Sequence, residues 1–106
     1  MEYREFGKLD LKVSALGFGC MRLPVIDGDN ARIDEPLATA MLRRAIDQGL
    51  NYVDTAWSYH SEQGEPFVGR VLQYGYREKV YLATKMPSWL VKSHEDLDHY
   101  FDRQLE

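Results

Sequence analysis

Three side chains that can hold or exchange protons follow short apolar stretches of this chain. Asp54 follows residues 50–53, and Lys85 follows residues 80–84. Tyr59 lies five residues after Asp54. A phenol has a free pKa of about 10, and a lysine ammonium within hydrogen-bond reach lowers it. The pattern predicts that Tyr59 donates a proton, Lys85 tunes it and Asp54 anchors Lys85. Such a tyrosine can protonate a carbonyl oxygen while hydride reaches the carbon.

The spacing of these residues indicates the elements that must position them. Cys20 and Asp54 are 34 residues apart, and Asp54 and Lys85 are 31 residues apart. These distances match a strand–loop–helix–loop unit, so residues 15–106 are predicted to hold three βα units. Each of the three residues then lies at the carboxyl end of a strand, and the helices lie on one side of a parallel sheet.

The remaining elements follow from turn and helix signals. Residues 3–14 predict a β-hairpin, and residues 23–35 predict a polar loop with a turn at 27–30. Apolar residues at helical spacing predict a helix capped by Asp34 and ended by Gly49, a second helix over roughly 65–74 and a third beginning at Ser93. Residues 80–84 are expected to form a buried strand.

Three runs of sequence resemble the aldo-keto reductase superfamily. They are Asn-Tyr-Val-Asp-Thr-Ala-x-x-Tyr ending at Tyr59, Leu-Ala-Thr-Lys ending at Lys85, and Leu-Gly-Phe-Gly-Cys-Met ending at Met21. The resemblance implies a (β/α)8 barrel that uses NADPH to reduce aldehydes and ketones. The family's catalytic tetrad is Asp, Tyr, Lys and His, and the resemblance gives the first three roles to Asp54, Tyr59 and Lys85.

The fold class expected from this resemblance is α/β. One partial domain over residues 1–106 would consist of an N-terminal β-hairpin (1–14) and three βα units (15–106) of a (β/α)8 TIM-type barrel. The barrel is expected to be incomplete, because a whole one takes about 250 residues. The chain, whose predicted third helix is still periodic at Glu106, is therefore interpreted as truncated, the N-terminal portion of a reductase.

The resemblance also implies how cofactor and substrate bind. It assigns Gly19, Cys20 and Met21 to the loop beside the nicotinamide of NADPH, together with Asp54. Core packing is an equally good interpretation of Cys20 and Met21. Trp57 would wall an apolar substrate pocket, as would Trp89, although partly exposed packing explains Trp57 equally well.

Two departures from the family pattern support an alternative function. The tetrad histidine belongs to a fourth strand that this chain does not reach, and the family's main cofactor-binding loops, after strands seven and eight, are also absent. In addition, the family's loop usually has glycine where this chain has His60. His60 is interpreted either as a stand-in proton donor or, with more weight, as a loop histidine in solvent. The alternative function is a catalytically inactive βα fragment whose open strand edges let it self-associate or pair with another chain.

Composition excludes several other classes of function. The formal net charge of −4 and the lack of a basic cluster argue against nucleic acid. No apolar run approaches the roughly 20 residues of a membrane span, and the N-terminus lacks a signal core. The single cysteine excludes an internal disulfide and favours the cytoplasm. His94 and His99 lack metal-ligand spacing. Gly17-x-Gly19 is not a dinucleotide fingerprint, because Arg22 occupies the third glycine position.

Overall fold

The chain forms seven short strands and three α-helices, and the computed structural model describes residues 1–106. The strands are β1 (Tyr3–Glu5), β2 (Lys12–Ser14), β3 (Phe18–Gly19), β4 (Val25–Ile26), β5 (Asp29–Ile33), β6 (Tyr52–Asp54) and β7 (Tyr81–Ala83). The helices are α1 (Glu35–Asp47), α2 (Gly64–Val71) and α3 (His94–Leu105). Strands and helices therefore alternate from β3 onward, apart from the inserted β4 and β5.

A parallel three-stranded sheet of β3, β6 and β7 lies at the centre of the fold, with β6 in the middle. Asp54 pairs with Gly19 on one side and with Ala83 on the other. Because parallel strands all point the same way, their carboxyl ends meet at one edge of the sheet. The predicted parallel arrangement is confirmed, although each strand is shorter than the sequence suggested.

The hydrophobic core lies where α1 and α2 pack on this sheet. Val53 of β6, Phe67 of α2 and Leu42 of α1 are fully buried in one cluster there. Only 19 of the 106 residues are buried, so the core is small for a chain of this length. The folded state is therefore sensitive to the loss of any one core contact.

The helices begin and end close to the predicted positions. Asp34 caps α1 by accepting a hydrogen bond from Leu37 N, and Gly49 follows the helix with φ of +98°. Ser93 caps α3 by accepting from Asp96 N. The second helix ends at Val71 rather than at the predicted residue 74, because the chain turns there through Tyr74 in a left-handed conformation, with φ of +59°.

The prediction of a polar loop over residues 23–35 was wrong in one respect, because this segment contains the hairpin β4–β5. Asp27 and Gly28 both have positive φ, 55° and 68°, and they lie between the paired residues Ile26 and Asp29. Two residues with positive φ give the tight turn that matches the twist of a two-stranded ribbon, and Asp-Gly is a preferred pair for it. The hairpin folds over the segment that follows β3.

The N-terminal hairpin β1–β2 has the predicted boundaries and lies at the amino ends of the parallel strands. Its turn brings the ring of Phe6 to 6.1 Å from the ring of Tyr52, the first residue of β6. Asn51 ties the two parts together, because its side chain accepts from Ser14 N at 2.7 Å and donates to Lys12 O at 3.0 Å. The hairpin therefore packs at the end of the sheet opposite to Asp54.

The predicted burial of residues 80–84 holds for Val80, which is in the core, but is wrong for Tyr81 and Leu82, because β7 is an edge strand. Tyr81 and Leu82 keep 42% and 37% of their surface exposed. No residue of α3 is buried, and its apolar side chains Leu97 and Phe101 remain exposed. One edge of the sheet and the apolar side of α3 are thus open. None of the helices is long and apolar enough to cross a lipid bilayer.

Candidate active site

The carboxyl edge of the parallel sheet brings Asp54, Tyr59 and Lys85 together. Asp54 is the last residue of β6, and Lys85 lies two residues beyond β7. Tyr59 lies in the loop between β6 and α2. This loop is held against the extension of β7, because Thr55 N donates to Ala83 O at 2.9 Å and Trp57 N donates to Lys85 O at 3.3 Å. Main-chain bonding thus places the phenol beside the end of the neighbouring strand.

The Lys85 ammonium is the centre of this cluster. Its Nζ donates to Asp54 Oδ2 at 2.7 Å, to the main-chain oxygen of Thr55 at 2.9 Å and to Tyr59 Oη at 3.0 Å. An ammonium group has three N–H donors, so each donor has one acceptor. The side chain is therefore fixed in direction, although about half of its surface is exposed.

The charge state of Lys85 follows from these contacts. Partial burial lowers the pKa of Lys85, but the hydrogen bonds with Asp54 and Tyr59 outweigh this effect and hold the pKa above the ordinary lysine value. The group is therefore charged at neutral pH. The same ammonium lies 3.0 Å from Tyr59 Oη, where a positive charge can stabilise negative charge that develops on the oxygen during a reaction.

The three residues of the expected nicotinamide loop have different environments. No atom lies within 4 Å of the position that a Cβ on Gly19 would take, so the chain leaves open space there. The Met21 side chain is 54% exposed. Cys20 is fully buried in the core, and its main-chain N donates to Asp54 O at 2.8 Å. The structure therefore favours core packing for the Cys20 side chain.

Burial also decides the chemistry of the Cys20 thiol. Removal from water, with a further contribution from the negative charge of Asp54, raises the pKa of Cys20 to about 12. The nucleophilic form of cysteine is the thiolate. Cys20 is therefore a neutral packing group at physiological pH, and its contribution to the site is the main-chain bond to Asp54.

The two tryptophans lie on the loops at this edge of the sheet. Trp57 donates from Nε1 to Glu62 Oε1 at 3.0 Å, and its ring meets the ring of Tyr100 edge-on at 5.0 Å. Trp89, in the short 3₁₀ turn after Lys85, is 59% exposed. Trp57 is thus partly enclosed by its own loop and by α3.

A shallow depression of about 300 Å³ adjoins the candidate proton donor. Its lining consists of Met21, Arg22, Asn30, Ser58, Tyr59 and His60. The hairpin β4–β5 supplies Asn30, and the segment after β3 supplies Met21 and Arg22. The inserted hairpin therefore shapes the surface beside Tyr59, which the sequence did not predict.

Neither interpretation of His60 was correct, because the ring is 1% exposed and both of its nitrogens are engaged. Leu23 N donates to Nε2 at 3.1 Å, so Nε2 carries no proton. Nδ1 then carries the proton and donates to Asn30 O at 2.8 Å. Both ring nitrogens are thus bonded to the main chain, and the ring presents no free N–H to a substrate.

The turn after Tyr59 has a strained backbone, and the hydrogen bonds of the buried His60 ring help to hold it. His60, Ser61 and Glu62 all have positive φ, at 53°, 53° and 69°. Each such residue is costly for an L-amino acid, and glycine adopts the conformation most easily. The bonds of His60 to the β4–β5 segment and the Trp57–Glu62 hydrogen bond hold the turn. A departure from glycine at position 60 was the one sequence signal of this feature.

Sequence reasoning also missed a polar network behind Lys85. Gln104 of α3 donates from Nε2 to Glu65 Oε1 at 2.6 Å and to Lys85 O at 3.0 Å. The hydroxyl of Thr84 donates to the same oxygen of Glu65. These residues lie on three different elements, and no local pattern connects them. The structure groups no three histidine, cysteine, aspartate or glutamate side chains in a way that could hold a metal ion.

Comparison with known proteins relates this geometry to a family. The sequence model of the Aldo/keto reductase family matches residues 15–106. The aldo-keto reductase YhdN of Bacillus subtilis (strain 168) is 36% identical over 87 residues, which are 80% of this chain and 25% of that protein. The chain spans about a quarter of the length of the curated relatives that it matches.

Solved structures give the same relationship. The holo form of aldo-keto reductase AKR11C1 from Bacillus halodurans is 40% identical with a TM-score of 0.65, over 79% of this chain and 25% of that one. An aldo-keto reductase from Klebsiella pneumoniae, solved in complex with NADPH, is 26% identical with a TM-score of 0.69, over 89% of this chain and 31% of that one. The likeness therefore concerns a part of each larger fold.

Proposed function

Because the chain belongs to the aldo/keto reductase family, we propose that it carries the proton-donating part of an NADPH-dependent reductase of aldehydes or ketones. Reductases of this kind are oxidoreductases that act on a small carbonyl compound. The observation that carries the proposal is the Lys85 ammonium, held at 2.7 Å from Asp54 Oδ2 and at 3.0 Å from Tyr59 Oη.

Tyr59 acts as the general acid in this proposal. When its O–H gives the proton to a carbonyl oxygen, the negative charge left on Oη lies beside the Lys85 ammonium, which stabilises it. Asp54 keeps the ammonium charged and aimed, because it is the nearest acceptor of Nζ. The charged pair exists before the reaction, so the site needs no reorganisation when the proton moves.

The residues present are compatible with a nicotinamide cofactor at the same edge. NADPH, when bound, supplies the hydride that goes to the carbonyl carbon. The open space over Gly19, the exposed side chain of Met21 and the partly exposed carboxylate of Asp54 would contact the cofactor. Cys20 would support this surface from below through its main chain. Trp57 would wall the substrate side of the site.

The fold proposal follows the same relationship. We take residues 1–106 as one partial barrel domain, with the hairpin over 1–14 at the amino ends of the strands and three βα units of a (β/α)8 barrel over 15–106. The parallel register of β3, β6 and β7 and the contact between Phe6 and Tyr52 support this interpretation. A single buried free thiol is compatible with action in the reducing cytoplasm.

Replacement of the proposed acid tests the reaction. Tyr59→Phe removes only the hydroxyl, and we expect the rate of NADPH oxidation with an aromatic aldehyde to fall by roughly 10²–10⁴-fold. Tyr74→Phe is the matched control, because Tyr74 is 87% exposed and its hydroxyl has no hydrogen bond in the structure. Turnover of Tyr59→Phe close to that of the unaltered chain would exclude Tyr59 as the proton donor.

A second candidate function is association, either with another copy or with another chain. It is favoured by exposed apolar side chains on β7 and on α3. Tyr81 and Leu82 on the edge strand β7 and Leu97 and Phe101 on α3 are all exposed. An uncovered strand edge flanked by apolar side chains is a template for pairing.

A further inference from the structure

We propose that Gln104 and Glu65 are positioning residues for Lys85, so that α3 acts as a support for the reacting groups. This inference rests on the proposed role of Lys85 in proton transfer. Neither residue touches Nζ or Tyr59, and their effect is transmitted through the main chain of Lys85. The hydrogen bonds of Gln104 and Glu65 are therefore separate from the Asp54–Tyr59–Lys85 cluster. In this proposal the cluster also requires that the main chain of Lys85 be held.

The Lys85 residue is fixed at both of its ends. Its Nζ has three acceptors, and its main-chain oxygen accepts from Gln104 Nε2 at 3.0 Å and from Trp57 N at 3.3 Å. The bond from Gln104 is the shorter of the two main-chain contacts. A long, flexible side chain delivers its charge accurately only when the backbone from which it extends is also held.

The amide of Gln104 is fixed in orientation by a second acceptor. An amide NH₂ has two hydrogens, and the two shortest contacts of Nε2 are Glu65 Oε1 at 2.6 Å and Lys85 O at 3.0 Å. If the amide were flipped, its oxygen would face the Glu65 carboxylate without a donor between them. Thr84, the neighbour of Lys85, donates its hydroxyl to the same Glu65 oxygen. Glu65 thus joins α2, α3 and the end of β7.

The position of α3 makes this coupling strong, because the helix has no buried side chain. Besides the contacts of Gln104, α3 meets the rest of the fold through the ring of Tyr100, which lies edge-on to the ring of Trp57 at 5.0 Å. The Gln104–Lys85 and Tyr100–Trp57 contacts fall on the two loops that carry Lys85 and Tyr59. Docking of α3 and the order of the site should therefore change together.

The Lys85 ammonium itself provides a readout that does not depend on turnover. With ¹⁵N-labelled lysine, its three hydrogen bonds should give a slowly exchanging ammonium signal that is assigned by its loss in Lys85→Met. We expect Gln104→Leu and Glu65→Leu to broaden or abolish this signal. Glu65→Gln retains an acceptor for Thr84 and Gln104, so the signal should survive.

Gln73→Leu is the matched control, because Gln73 is exposed and its side chain forms no hydrogen bond in the structure. Thermal unfolding of every variant separates positioning from loss of the fold. If Gln104→Leu unfolds, the Lys85 signals of Glu65→Gln and Glu65→Leu are compared instead, and their difference decides whether the network holds Lys85. A Lys85 signal that is missing in the unaltered chain, or unchanged in both leucine variants, would overturn the proposal.

Kinetics then separates this inference from the proposed function. With an aldehyde substrate, Gln104→Leu should lower kcat by roughly ten- to a hundredfold with a smaller change in KM, because the reacting groups are displaced while the binding surface remains. A chain without any NADPH-dependent turnover would refute the proposed function. The ammonium signal would still decide whether Gln104 and Glu65 hold Lys85.

Discussion

The Lys85 ammonium is the group on which the proposed chemistry of this chain depends. Its three donors meet a carboxylate, a main-chain oxygen and a phenol, and these acceptors come from one loop and one strand end. Arginine offers a planar fork of donors, which does not match three acceptors arranged around a point charge. The site therefore requires lysine in particular, beyond the requirement for a positive charge.

The pKa of Lys85 provides a prediction with a defined direction. Asp54→Asn removes the charged acceptor, so we expect the pKa of Lys85 to fall relative to the unaltered chain. A ¹⁵N NMR titration of the lysine ammonium groups measures this directly, with Lys79 as an internal reference for an exposed ion pair. An unchanged Lys85 pKa in Asp54→Asn would show that Asp54 does not hold the charge.

The same shift has a consequence for stability at alkaline pH. The folded chain holds the Lys85 proton more tightly than the unfolded chain, in which the pKa is about 10.4. The stabilisation by this group is therefore complete below that pH and declines as the pH rises through the folded-state value. Asp54→Asn should accordingly reduce the difference between the thermal unfolding midpoints at neutral and at strongly alkaline pH.

At the scale of elements, local sequence determined the parallel strands and the helix caps, whereas contacts between distant segments determined the rest. Asp34, Ser93 and Gly49 act within one turn of a helix, so their roles follow from residue type and position. His60 bonds to residues 37 and 30 positions away, and Gln104 reaches residues 39 and 19 positions away. Single-sequence patterns contain no signal for such pairs.

The hairpin over residues 25–33 was not predicted, because these residues were interpreted as part of a polar loop. Its Asp-Gly turn is a strong local signal, but the strand β4 has only two residues and shows no alternation. Its own ladder is continued by Asp34 N, which donates to Pro24 O at 2.8 Å, and Asn30 O joins it to His60. Its existence therefore depends on the turn that follows Tyr59.

This dependence gives a prediction for His60. His60→Leu leaves Leu23 N buried without an acceptor, and an unpaired buried donor costs about 1–3 kcal/mol. Urea unfolding should show a loss of this size in the free energy of unfolding. Hydrogen exchange of the β4–β5 amides should be accelerated by the substitution more than that of the α1 amides. His94→Leu is the control, because His94 is exposed on α3. Equal stability of the two variants would mean that His60 does not hold the hairpin.

Two glycines should respond to alanine in opposite directions. Gly49 has φ of +98°, and a Cβ there would stand 2.7 Å from Tyr3 Oη, which donates to Gly49 O. We expect Gly49→Ala to destabilise the chain by at least about 1 kcal/mol, because the αL region and the clash both oppose it. Gly69 lies within α2 and has no atom within 4 Å of the corresponding position.

Gly69→Ala should therefore stabilise α2 by about 0.5–1 kcal/mol, because alanine loses less conformational freedom in a helix interior. Urea unfolding of the two variants side by side measures both signs with one method. If Gly49→Ala is as stable as the unaltered chain, the contact of the N-terminal hairpin with the end of α1 contributes nothing to the fold.

At the scale of the whole molecule, the balance of buried and exposed apolar surface is unusual. The fold buries 19 residues, yet large apolar side chains remain exposed on β7 and α3. The three-stranded sheet has two edges, and β7 forms one of them. Covering this surface would remove apolar area from water and satisfy the free backbone groups of the edge strand.

We therefore predict that the chain associates through β7. Sedimentation equilibrium should give a mass above 12.3 kDa that rises with concentration. Leu82→Lys places a charge on the edge strand, which natural edges use to prevent pairing. The new charge would lose its water when β7 pairs, so the dissociation constant should rise by roughly tenfold or more.

Leu9→Lys is the matched control for this change, because Leu9 is 57% exposed in the turn of the N-terminal hairpin, away from β7. It adds the same charge to the molecule without altering the strand edge, so its association should equal that of the unaltered chain. A monomer at every concentration would exclude the open edge as an interface. Equal weakening by both substitutions would show that the effect does not depend on the β7 edge.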